Sequence, residues 1–162
     1  MKQNLYTVCE DPKYSKAGLD CGYITNRPGS KATFFYNMPN AEQHVIDTDE
    51  QLKDVVSGLL IEQSVPLVLA QPPKDSPSSA IHVPTLVVLG GEDMTACGSD
   101  GIVCTDDTVK KAEAVYYPGV PGGIDVHVVA TSGHSLPLHR NGRSTTDYII
   151  DWVNSHAGAN LH

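Results

Sequence analysis

Val83-Pro84-Thr85-Leu86-Val87-Val88-Leu89-Gly90-Gly91-Glu92-Asp93 is the stretch that decides the fold, and 41 residues beyond its Asp the chain reads Ser132-Gly133-His134-Ser135. Val83 to Leu89 is almost continuously apolar, as in a parallel strand covered on both faces with neighbours on either side. A second run, Ile124 to Ala130, alternates more and reads as a strand nearer an edge. Thr105-Asp106-Asp107 supplies a helix cap between them, with a helix over residues 107–115. Tyr148, Ile149, Trp152 and Val153 place a last helix over 144–155, which Gly158 stops. Strand, helix, strand, helix makes a right-handed crossover, hence an α/β fold with a short parallel sheet.

Composition narrows the functions open to the chain. Its 162 residues suit a single ordinary core, and 40% hydrophobic with 19% charged residues is the balance of a soluble globular protein. A net charge of −8 argues against nucleic acid and anionic membrane surfaces, which need a basic footprint. No apolar run approaches a membrane span, and no apolar core follows the first residues as in a signal peptide. Those readings favour a cytoplasmic protein, or a secreted one whose signal has been removed. No cofactor is implied.

Cys9, Cys21, Cys97 and Cys104 are too few for a disulfide scaffold at this length, and none forms a C-x-x-C pair. Cys97 and Cys104 bracket Gly-Ser-Asp-Gly and could close a small disulfide. Two free thiols are favoured in a reducing cytosol.

The first half reads less clearly. Residues 10–32 are rich in Gly and Pro and read as loop and turn. Thr33-Phe34-Phe35-Tyr36 fits a short strand or an aromatic patch against a pocket. Ala41 to Ile46 suits a turn or two of helix. A new helix capped at Thr48 is expected to run through Leu52, Val55, Val56, Leu59 and Leu60, which share one apolar face. Residues 71–79 form a Pro- and Ser-rich linker. The chain thus divides into a first part that ends in this linker, 1–79, and a core, 80–162.

The phrase from Gly22-Tyr23-Ile24-Thr25 through Arg27-Pro28-Gly29-Ser30-Lys31, followed by Phe35-Tyr36 and Asp49-Glu50, resembles the cap segment of a microbial group of α/β-hydrolases. Val83 through Trp152 is similar to that family's last two strands and final helix. The resemblance corresponds to the C-terminal half of the family, and no Gly-x-Ser-x-Gly nucleophile elbow occurs. It implies that Asp93 is the acid of a catalytic pair and His134 its base, with Asp93 fixing the tautomer through one ring nitrogen and leaving the other free. Tyr23, Phe35 and Tyr36 are the candidates to line a substrate pocket.

No serine in the chain suits the nucleophile's role. Cys97-Gly98-Ser99-Asp100-Gly101 lacks both the first glycine and an entering strand, and Ser132 and Ser135 flank His134 on its own loop. His139 reads as a residue of the loop or of the first turn of the last helix. Metal binding by Asp93, His134 and His139 matches no ligand spacing. Three function classes follow: an Asp–His dyad doing acid–base chemistry (cyclisation, isomerisation, dehydration or condensation) on a small apolar metabolite, half of a serine hydrolase completed by a partner chain, or a non-catalytic binding domain. An apolar strand lacking half of its sheet also predicts a homodimer through the exposed edge, or a partner chain in that place.

Overall fold

A computed structural model describes residues 4–69, 72–97 and 103–157. Two small sheets organise these residues. The first is antiparallel, with β1 (Leu5–Thr7), β2 (Tyr23–Asn26) and β3 (Val56–Ser57) in that order. The second pairs β4 (Leu86–Gly90) with β5 (Asp125–Val129) in parallel, Leu86 opposite Asp125 and Gly90 opposite Val129. Helix α4 (Asp106–Glu113) makes the crossover, and α5 (Gly142–Ala157) follows β5. The small α/β arrangement expected of the second half is therefore present.

The crossover helix starts where its sequence says it should. The Thr105 hydroxyl accepts the Thr108 N–H at 3.2 Å, and the Thr108 hydroxyl in turn accepts the Thr105 N–H at 2.8 Å. Asp106 in the first turn reaches further, accepting the Val128 N–H at 2.6 Å. Ladder geometry turns the peptide groups of Val126 and Val128 away from β4, so this carboxylate covers part of the outer edge of β5.

Strand β4 differs from its expected setting. The sequence predicts a central strand covered on both faces, but its one sheet neighbour among the described residues is β5. Leu86 to Leu89 are only half-buried and Val83 lies before the strand, exposed. The peptide groups of Leu86 and Val88 face the open side, where no described residue meets their N–H groups. So apolar a run suits more cover than these two strands give.

Residues 10–32, expected as loop and turn, also hold β2 and the start of a helix. Helix α1 (Ser30–Phe35) follows Gly29, whose φ of +77° suits glycine. Thr33 to Phe35 are thus helical, and the alternative of a short strand falls away. Helix α2 (Gln43–Leu52) runs straight through the expected N-cap, and the Thr48 hydroxyl, instead of capping, donates to the His44 carbonyl at 2.7 Å within the helix. The expected apolar face is broken after Leu52. Lys53 leaves helical geometry with ψ at 142°, β3 claims Val56 and Ser57 for the sheet, and α3 (Gly58–Leu69) begins afresh with Leu59 and Leu60 exposed. Short 3-10 turns at Pro73–Asp75 and Pro77–Ala80 lead on to β4.

Lys53 breaks the helix because its ammonium is needed inside. It donates to Asp11 Oδ2 at 2.7 Å and to the Asn26 carbonyl at 2.8 Å, with both Lys53 and Asp11 buried. Tyr6 donates to the same Asp11 oxygen at 2.5 Å. Burial alone would raise the Asp11 carboxyl, but hydrogen bonds from Lys53, Tyr6 and the Lys13 backbone, with the Lys53 charge, hold it below the usual range. Burial, then the Asp11 bond and charge, push the Tyr6 phenol up. This cluster ties β1, β2 and the end of α2 together.

All four cysteines pair, against the expectation of free thiols and no disulfide framework. Cys9 joins Cys21 and Cys97 joins Cys104, with Cα separations of 5.4 and 5.7 Å inside the ordinary disulfide range. Each bond closes a short local loop, a pairing that a count of cysteines does not reveal.

Candidate functional site

The loops that carry Asp93 and His134 lie side by side because β4 and β5 are adjacent and parallel, so both leave at the same carboxyl end. The loops are hydrogen-bonded to each other: Gly91 N–H donates to the Val129 carbonyl and Glu92 N–H to the Ser132 carbonyl, each at 2.9 Å. Gly90 permits this approach, since a Cβ there would fall on the carbonyl oxygens of Ser132 and Gly133. Past it, Asp93 caps a tight turn, its carbonyl accepting the N–H groups of Ala96 and Cys97. Cys97 is then anchored through its disulfide to Cys104, just ahead of α4.

Asp93 is 2% exposed and its carboxylate is fully engaged. Oδ2 lies 2.9 Å from His134 Nδ1, while Oδ1 accepts the Thr95 N–H at 2.8 Å and the Thr95 hydroxyl at 2.7 Å. The His134 side chain is 49% exposed, and no described residue bonds its Nε2. A buried carboxylate thus orients one nitrogen of a ring that presents the other outward.

His134 is held from the first half of the chain as well. Ser135 N–H donates to the Phe35 carbonyl at 3.0 Å, and the Phe35 ring lies 5.4 Å from the imidazole, centre to centre. Beneath the loop sits His139, 5% exposed. Its Nδ1 donates to the Ser135 carbonyl at 2.8 Å, and its Nε2 accepts N–H groups from Gly133 and Asn37, both at 3.0 Å. The side-chain amides of Asn37 and Asn40 donate to the Thr131 carbonyl, at 2.8 and 3.0 Å. Residues 35–40 and the histidine loop therefore share one hydrogen-bond network.

Of the residues expected around a pocket, Phe35 is brought against His134. Tyr36 turns inward, packs with Ala41 and Ile46, and donates to Asp49 Oδ2 at 2.9 Å. Burial and that carboxylate push its phenol up. Tyr23 lies in the other sheet, opposite Ser57. A separate cavity of about 120 Å³, lined by Leu89, Ala96, Cys104, Thr108 and Val109 among others, shares no residue with the dyad. Ser132 is buried with its hydroxyl on Asn141, and Ser99 lies outside the described residues. No three His, Cys, Asp or Glu side chains among the described residues gather as metal ligands.

Thr95 and His139 join the site without standing out in the sequence. Thr95 has a local signal, a hydroxyl residue two positions after an acid. His139 has none, because its partners Asn37 and Gly133 come from distant or irregular segments.

No family model matches the chain, and no curated protein matches it significantly. No helix among the described residues is long and apolar enough to cross a membrane.

Proposed function

We propose that the chain carries the acid and base of an α/β-hydrolase-type site, and that the serine nucleophile comes from polypeptide adding a strand to the open edge of β4. The observation behind this reading is the 2.9 Å contact between buried Asp93 and Nδ1 of half-exposed His134 at adjacent strand ends. In such a site Nε2 takes the proton of a serine hydroxyl as its oxygen attacks an ester or amide carbonyl. The same proton passes to the departing alcohol or amine when the tetrahedral intermediate collapses, and water then repeats the cycle on the acyl-enzyme. Asp93 stays ionised and stabilises the imidazolium. Backbone N–H groups for the oxyanion would come with the nucleophile.

A second reading needs no serine. His134 shuttles a proton on a small apolar metabolite resting against Phe35, in a cyclisation, isomerisation, dehydration or condensation. The Phe35 ring beside the imidazole favours it. Fluorophosphonate labelling of the native assembly separates the two. A labelled serine on an associated polypeptide, with labelling lost in His134→Ala, supports the half-site. Turnover that needs His134 in the purified chain, with no labelled serine, supports the dyad alone. If neither labelling nor turnover depends on His134, both readings fall.

The bare edge of β4 calls for a strand from a second copy or from another chain. A soluble monodisperse monomer in light scattering counts against either. The two disulfides support an oxidising compartment over the cytosol expected from the sequence, since such bonds rarely persist among cytosolic thiols.

A further inference from the structure

We propose that Thr95 is a positioning residue of the dyad, fixing the tautomer of His134 together with Asp93. This rests on the reading of Asp93 and His134 as an acid–base pair. Thr95 Oγ1 lies 2.7 Å from Asp93 Oδ1 and 3.0 Å from His134 Nδ1, so one hydroxyl touches both members. A hydroxyl has a single proton and two lone pairs. Its proton is committed to the buried carboxylate, so toward the ring it can only accept. Nδ1 therefore faces two acceptors, Asp93 Oδ2 at 2.9 Å and Thr95 Oγ1, and must carry the ring proton. The lone pair of the neutral ring is thereby placed on Nε2, the nitrogen no described residue bonds. In the opposite tautomer, the lone pair of Nδ1 would confront a carboxylate oxygen and a hydroxyl oxygen at once.

The backbone adds to the effect. Thr95 N–H donates to Asp93 Oδ1 at 2.8 Å, so residue 95 grips that oxygen by both main chain and side chain. The carboxylate cannot rotate to offer Oδ1 to the ring without losing two donors. Substitution of Thr95 removes the hydroxyl and leaves the backbone bond, and the residue is exposed, so the loop has every reason to survive the change.

The test is side-chain nitrogen NMR of His134 in the full chain at neutral pH, comparing wild type with Thr95→Val, Thr95→Ser and Asp93→Asn. Wild type and Thr95→Ser are expected to show the Nδ1–H tautomer, with a slowly exchanging Nδ1 proton. In Thr95→Val the ratio of tautomers shifts about fivefold toward Nε2–H, the size of one ordinary hydrogen bond, and the Nδ1 proton exchanges faster. Should the Val variant misfold, Thr95→Ala gives the same comparison. An unchanged ratio in the variants lacking the hydroxyl overturns the role of Thr95, as does a Ser variant that behaves like Val. If Asp93→Asn also leaves the ratio unchanged, the acid–base pair itself is overturned.

Discussion

Nε2 of His139 lies 3.0 Å from the backbone nitrogen of Asn37, although 102 residues separate the two in sequence. The same nitrogen accepts the Gly133 N–H, so a single buried imidazole joins the end of the first aromatic helix to the loop that carries His134. Replacing His139 by Ala strips two backbone donors of their acceptor. Each buried donor left unpaired costs roughly 1–3 kcal/mol. His139→Ala is therefore expected to lose about 2–6 kcal/mol in urea unfolding, and an unchanged midpoint would contradict the network.

The Asp11–Lys53 pair makes stability depend on acid. The Asp11 carboxyl is held below its usual range in the folded chain, whereas in the unfolded chain it titrates near 4, roughly the free value. Its contribution is thus complete above that unfolded value and fades as pH falls below it, through the depressed folded value. Asp11→Asn leaves the buried ammonium only the more distant Glu50 carboxylate, at 3.4 Å, so a loss below the roughly 3–5 kcal/mol of a fully unpaired buried charge is expected near neutrality. The variant should also lose part of the acid-side slope. Urea midpoints from neutral pH downward measure both effects.

The two disulfides each close a short loop, with partners 12 and 7 residues apart. Loop-closure entropy puts each at about 2–3 kcal/mol. Cys97→Ser with Cys104→Ser should also loosen the turn that aims Asp93, speeding amide exchange at Thr95 and Ala96. Intact mass without reductant checks the pairing, since the native chain should be four hydrogens lighter than the reduced one.

Gly90→Ala tests the approach of the two loops. The added methyl would meet backbone oxygens of Ser132 and Gly133, and backbone cannot swing aside as a side chain can. The substitution should cost more than an ordinary surface change, several kcal/mol on the scale of overpacked interiors. The His134 resonances should shift even where the variant still folds. Wild-type stability together with unshifted His134 signals would show that the loops do not pack this way.

The second half was legible because its signals are local. The apolar run from Leu86 to Leu89 marks its own strand, and Thr105 marks its own helix by its hydroxyl and that of Thr108. The first half was obscure because long-range partners decide it. Strand β3 is two residues, Val56 and Ser57, made a strand by β2, and Lys53 ends a helix because Asp11 lies 42 positions earlier. At the site, Asp93 and His134 stand out by position after apolar runs. Thr95 and His139 act through geometry that residue type alone does not announce.

The two margins of the β4–β5 pair are not alike. On the β5 side the Asp106 carboxylate occupies the Val128 N–H, while on the β4 side no described residue meets the N–H groups of Leu86 and Val88. The β4 side is therefore the readier of the two for a strand to add to. Two copies meeting through their β4 margins would use up both growing sides and stop, giving a closed pair with a two-fold axis. A head-to-tail filament would require the stoppered margin to accept a strand, and the Asp106 carboxylate stands against it.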